Sequence, residues 1–252
     1  MPSGSVASRL LAAAVVMAWV ATVASVASAQ AQKADARGLL ARMSKEIAGL
    51  DSFLVSGEAY SDAWLDAGLV IEHSADVTMK VRRPGEMRLT NRDSETTKEI
   101  FFGSGVLTVF NRSRNFYAQK EIPGDVGAAF DYAVNELGID APLLDFVSKD
   151  VSGLLLKEAQ EVRYLGTSRI RGRLFDHIAI REPEVDIQIW IAAEGRPLPG
   201  KMAISSKWKA GAPRFVAFLE WDTSPDLPGD ALVFVAPEGA TRIEFELDPD
   251  GE

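Results

Sequence analysis

The residues able to do chemistry are few and scattered. Two histidines, His73 and His177, lie far apart, each within an alternating strand pattern. A histidine metal site needs a second ligand at short spacing, and neither His-x-His nor His-x-x-x-His occurs. The absence of cysteine excludes thiolate nucleophiles, thiolate metal sites, disulfides and a lipidated cysteine at a processed N-terminus. There is no Gly-x-Ser-x-Gly elbow and no phosphate-cradling glycine loop. Gly103-Ser104-Gly105 sits between two strand patterns and reads as a hairpin turn. Asp and Glu number 36 against 27 Lys and Arg, but no two nominate themselves as an acid–base couple. The expectation is a protein with no catalytic residue, no metal and no cofactor.

The aromatic and basic residues allow two readings each. Trp64, Trp190, Trp208 and Trp221 could line a cavity or belong to a core. Trp190 shares the polar side of its strand with Asp186 and Gln188, as a rim residue or as an inward one on a two-sided sheet. Packing is the plainer role for all four. Arg82 and Arg83, before Pro84, could grip an acidic partner or, more simply, pair with the protein's own carboxylates at a turn. His73 shares a face with Ile71, Ala75, Val77, Met79 and Val81, the pattern of a hydrogen-bonded core histidine.

The elements around these residues begin with a segment that is no part of the mature fold. Arg9, the apolar run Leu10 to Val23 and Ala27-Ser28-Ala29 make residues 1–29 a secretory signal peptide, cleaved after Ala29. The run is short of a bilayer span, and no other stretch could cross a membrane, so no transmembrane anchor remains after cleavage. Residues 30–252 read as a single domain. Ala36, Leu39, Leu40, Met43, Ile47 and Leu50 recur at helical spacing and predict an amphipathic helix ending near Gly49. Strands follow at 53–62 and 69–81, around a turn near Asp66-Ala67-Gly68, and at 86–91, 98–102, 106–110 and 115–121.

At about 125 the period changes. Asp125 can cap a helix that Gly138 stops, Pro142 opens a second, and Asp150 caps a third. This insert, 125–158, is either a plain apolar lid or a plug whose inner face lines a cavity. Strands resume at 160–166 and 173–181. The stretch from Val185 to Trp221 then alternates through a meander with turns at 194–200 and at Gly211 and Pro213. Leu232–Ala236 and Thr241–Glu246 complete the sheet. Strands without alternating helices predict an α+β fold, an antiparallel sheet of about eleven strands covered by an N-terminal helix and the central insert. The chain of 252 residues carries a net charge of −9 and has no basic run, which argues against nucleic acid and against an anionic membrane surface.

Several motifs carry a family resemblance. Arg82-Arg83-Pro84-Gly85 with Met87-Arg88, Phe101-Phe102-Gly103 with Leu107-Thr108-Val109, and Asn115-Phe116-Tyr117-Ala118 resemble domain-of-unknown-function family 2092, predicted periplasmic proteins. So do Ile187-Gln188-Ile189-Trp190-Ile191, Arg196-Pro197-Leu198-Pro199-Gly200-Lys201 and Trp221-Asp222. That family is similar in fold to the LolA, LolB and RseB superfamily, a strongly curved antiparallel half-barrel closed by helices. The resemblance implies a periplasmic location and no established catalytic residue. It implies a non-catalytic carrier of a lipid or lipoprotein acyl chain, or else a protein-interaction module that senses envelope stress through a periplasmic partner. On the carrier reading the cavity lining is expected at Val126, Phe130, Val134, Leu137, Leu143, Leu144, Phe146 and Trp190.

Overall fold

Pairing of consecutive strands builds the sheet outward from its centre in two directions. In the computed structural model, which describes residues 36–64, 69–137, 142–207 and 212–245, strand β1 (Ser52–Trp64) pairs antiparallel with β2 (Val70–Arg82) on one side. From there β3 (Glu86–Arg92), β4 (Thr97–Gly103), β5 (Val106–Asn111) and β6 (Phe116–Glu121) follow as hairpins. On its other side β1 pairs with β11 (Arg214–Asp222), and β10 (Pro199–Ser206), β9 (Val185–Ala192), β8 (Arg173–Arg181) and β7 (Glu161–Ile170) continue outward in reverse order. A short β12 (Thr241–Ile243) adds parallel to β6. The result is an open, curved, 12-stranded sheet ending in β12 and β7. The signal segment, the turn at 66–68, Gly138, Trp208 and Gly211 lie outside the described residues.

This order dictates where the helices go. The chain between β6 and β7 must travel from one end of the sheet to the other. It does so as α2 (Val126–Asn135), a 3-10 helix (Pro142–Val147) and α3 (Val151–Leu156). Asp125 accepts from the Ala128 amide at 3.2 Å and Asp150 from the Gly153 amide at 2.8 Å, so each α-helix has its carboxylate N-cap. The N-terminal helix α1, residues 36–48, buries Ala36, Leu40, Met43 and Ile47 completely. The concave face and all these helices share one continuous core. Ser104 and Gly105 have φ of 52° and 75°, the geometry of a two-residue hairpin matched to strand twist. At the seam of the two arms a Cβ on Gly57 would meet the Phe218 carbonyl oxygen at 1.8 Å, so only glycine lets β1 and β11 approach.

Two sequence expectations need correction. Residues 232–236 are not a strand. The chain enters the segment through tight turns, with Ala231 donating to the Pro228 carbonyl and Val233 to that of Asp230, and among the described residues it joins no ladder. The alternation survives because the segment lies across the convex face of β2–β6, with Leu232 buried while Val233 and Val235 are 51% and 76% exposed. His73 is exposed rather than core. It sits toward the far end of the long β1–β2 hairpin, where Trp64, Leu69 and Val70 are also exposed. Strand β7 also runs past its expected end at Gly166, through an irregularity between Tyr164 and Thr167.

Candidate functional site

The concave face under the insert is apolar and packed against the helices. Val126, Phe130, Leu143, Leu144 and Phe146 are all buried there, at 8% exposure or less. Leu137 packs half-buried against the same cluster. Val134 points away and is 38% exposed. Trp190 lies on the opposite, convex face, in a separate small cluster with Phe175, Ala192 and Ala203. Its neighbours on β9 explain this: Ile187, Ile189 and Ile191 occupy the concave side, and strand alternation sends Trp190 outward. The structure thus gathers the helical residues of the expected lining other than Val134 and separates Trp190 from them.

Two residues singled out in the sequence seat the helices, Trp221 by packing and Arg83 by bonding backbone carbonyls rather than carboxylates. Trp221 lies between Phe53 and Phe146, with ring centroids 5.4 and 5.7 Å away, and its indole N–H donates to the Pro199 carbonyl at 2.8 Å. Arg83 lies over the Phe53 ring at 5.7 Å. It donates to the carbonyls of Leu50 at 3.2 Å, Val147 at 2.6 Å and Ser148 at 3.4 Å. One guanidinium therefore ties the end of α1 to the end of the 3-10 helix. The Ser152 amide donates to the buried Ser44 hydroxyl at 3.1 Å, joining α3 to α1. The signal for Arg83 was its place beside Pro84 at a turn. Nothing local marked its distant carbonyl partners.

The cover also carries a poorly compensated charge. Asp145, in the 3-10 helix, has its carboxyl pushed up to about 6, first by burial and then by the nearby Glu182 carboxylate. Burial and Glu158 push Glu182 up in turn, against Lys207. Protonation is thus favoured where the insert meets the end of β8.

Two clefts flank the β9–β10 turn. One, of about 240 Å³, has a floor of Phe175, Leu198, Leu219 and Trp221 and a rim including Arg173, Glu194 and Arg196. A Cβ at Gly200 would come within 2.3 Å of the Phe175 ring, so glycine keeps this wall thin. The other, of about 430 Å³, lies between the last turns of α1 and the same turn, lined by Arg42, Lys45, Glu46, Leu50, Arg196 and Pro197 among others. Among the described residues no group of His, Asp or Glu is arranged to hold a metal, and no helix is long and apolar enough to cross a membrane.

A family model described as predicted periplasmic protein (DUF2092) matches residues 36–246. No curated protein matches the chain. Among solved structures, an uncharacterized conserved protein from Thermus thermophilus is similar at 9% identity and a TM-score of 0.51, over 83% of this chain and 99% of that one. The MucA/MucB complex of Pseudomonas aeruginosa is similar at 16% identity and a TM-score of 0.46, over 80% of this chain and 62% of the other. The LolA superfamily protein NE2245 of Nitrosomonas europaea is similar at 12% identity and a TM-score of 0.39, over 79% and 97%. The Thermus likeness is one of fold.

Proposed function

Because the chain belongs to the DUF2092 family of predicted periplasmic proteins, we propose that it is a non-catalytic periplasmic carrier of an apolar ligand, a lipid or a lipoprotein acyl chain, held on the concave face. The observation that carries this reading is the composition of the core. An open sheet presents one apolar face, and short helices that belong to neither arm of the sheet cover it. An acyl chain replacing a helix there exchanges one apolar partner for another, and each methylene it buries contributes about 0.8 kcal/mol. The helices are tethered to their surroundings by few polar contacts, chiefly those of Arg83 and Ser44.

Native mass spectrometry of the protein purified from a periplasm, followed by solvent extraction, tests it. A discrete added mass that extracts as a lipid is expected. A bare chain mass that persists after incubation with lysolipids and lipoproteins would remove the carrier reading.

A second reading rests on the edge of β7. Among the described residues no strand pairs with its outer side, and Leu165 there is 49% exposed. An extended segment of a periplasmic protein could add at that edge. Crosslinking from position 165 that recovers only the protein itself would count against this.

A further inference from the structure

The two clefts beside the β9–β10 turn have contrasting linings and share one residue, Arg196. On the α1 side, Arg42 and Lys45 from the helix face Arg196 from the turn, with Glu46 as the one acidic lining residue. Glu46 is engaged by Arg196 at 3.3 Å. Among the described residues neither Arg42 nor Lys45 belongs to an ion pair. A basic last turn suits a helix C-terminus, but Arg196 comes from the opposite wall and is not explained that way. On the other side of the turn, the floor of the smaller cleft includes Leu198 and Leu219, both members of the concave core.

We propose that this pair of clefts is an entry site for an anionic amphiphile. Its phosphate or carboxylate head would be held by Arg42, Lys45 and Arg196, and its acyl tail would pass over Leu198 and Leu219 toward the core. The inference rests on the carrier reading and adds a head-group class to it. Three cations converging on one anion in a half-open site give charge selectivity that weakens with salt.

The test compares lysophosphatidylglycerol with lysophosphatidylcholine of the same chain length, below micelle-forming concentrations, by titration calorimetry on the mature protein. Glycerol phosphate serves as the free-head control. The anionic lysolipid should bind at least ten-fold more tightly than the zwitterionic one. The Arg42→Gln, Lys45→Gln, Arg196→Gln triple variant should lose that preference, binding the anionic lysolipid no more tightly than the zwitterionic one. All three side chains are on the surface, and the melting temperature of the variant checks that it folds. Equal affinity for the two lipids, or a preference that survives the triple variant, overturns the head-group inference and leaves the carrier reading standing. Glycerol phosphate binding as tightly as the lysolipid overturns the amphiphile and leaves an anion site. Binding of neither lipid overturns both readings.

Discussion

The two arms of the sheet solve the same problem differently. Both bury their concave face under helices, but among the described residues only the β2–β6 arm has its convex face covered as well. There the segment after β11 crosses the sheet, with Arg82 donating to the Leu227 carbonyl at 2.7 Å and Arg88 to that of Ala231 at 3.3 Å. Phe234 settles among Phe101, Phe110 and Tyr117, at ring distances of 5.4, 5.4 and 5.1 Å. Under this strap Glu99 is 1% exposed and held by Arg88 at 2.6 Å and Arg112 at 2.7 Å. Among the described residues the β8–β11 arm has no strap. Its convex face closes itself with a cross-strand row, His177, Trp190, Lys201 and Phe218, continuing to Glu58 on β1. His177 stacks on Trp190 at 4.1 Å, and Lys201 lies over both Trp190 at 4.5 Å and Phe218 at 4.9 Å. A strapped face can bury a carboxylate held by guanidiniums that reach toward water. A bare face uses long amphipathic side chains whose polar ends stay near water.

Glu99 under the strap and Asp145 in the helical cover should respond to pH in opposite senses. Burial alone would push the Glu99 carboxyl up, but hydrogen bonds and charge from Arg88 and Arg112 hold it below its ordinary value. Its stabilisation is present above the unfolded value of 4.5 and is lost as pH falls through the lower folded value. Asp145 is the reverse. Its favourable state is the protonated one, fully present below 3.8 and lost as pH rises through about 6.

Breaking the strapped arm should give the largest effect. Glu99→Ala leaves two guanidiniums facing each other and should lower stability by about 3 kcal/mol in urea melts at pH 7.5, with the deficit shrinking on acidification. Phe234→Ala should follow, at between about 2 and 3 kcal/mol for a half-buried ring. Hydrogen exchange should rise in residues 223–240 and stay unchanged in β8–β11. In the helical cover, Asp145→Asn should raise stability by about 2 kcal/mol at pH 7.5, and the gain should vanish below pH 4. A gain that persists at acid pH would mean that the carboxylate is not the cause. The smallest effect belongs to the aromatic row, where Lys201→Ala should cost about 1 kcal/mol. Double-mutant cycles with Trp190→Ala should show coupling, and cycles with Phe234→Ala should not.

Elements with a local signature were legible in the sequence. The helix spacing of Ala36 to Ile47, the caps at Asp125 and Asp150 and the turn at Ser104-Gly105 each follow from neighbours within a few residues. The expectation of α+β with an antiparallel sheet followed from strand patterns without alternating helices. Readings that depended on what lies across the fold did not transfer. The 232–236 alternation is identical for a strand and for a strap, because both put every second residue against the sheet. His73 has a core pattern on a hairpin that extends past its cover. The side of the sheet that Trp190 occupies is set by the register of β9 against β8 and β10. The burial of most apolar insert residues was legible because helical apolar stripes must face the sheet, whereas Trp221, Arg83 and Arg196 act through partners far away in sequence.

The most direct test is whether the helical cover must move for a ligand to enter. The chain has no cysteine, so Ser44→Cys with Ser152→Cys, at the contact of α1 and α3, introduces a single lockable pair. Binding of a fluorescent acyl probe to the mature double variant would be measured oxidised and reduced. Uptake that is lost in the oxidised protein and returns on reduction is the predicted result. Equal uptake in the two states would contradict the account, as would no uptake in either.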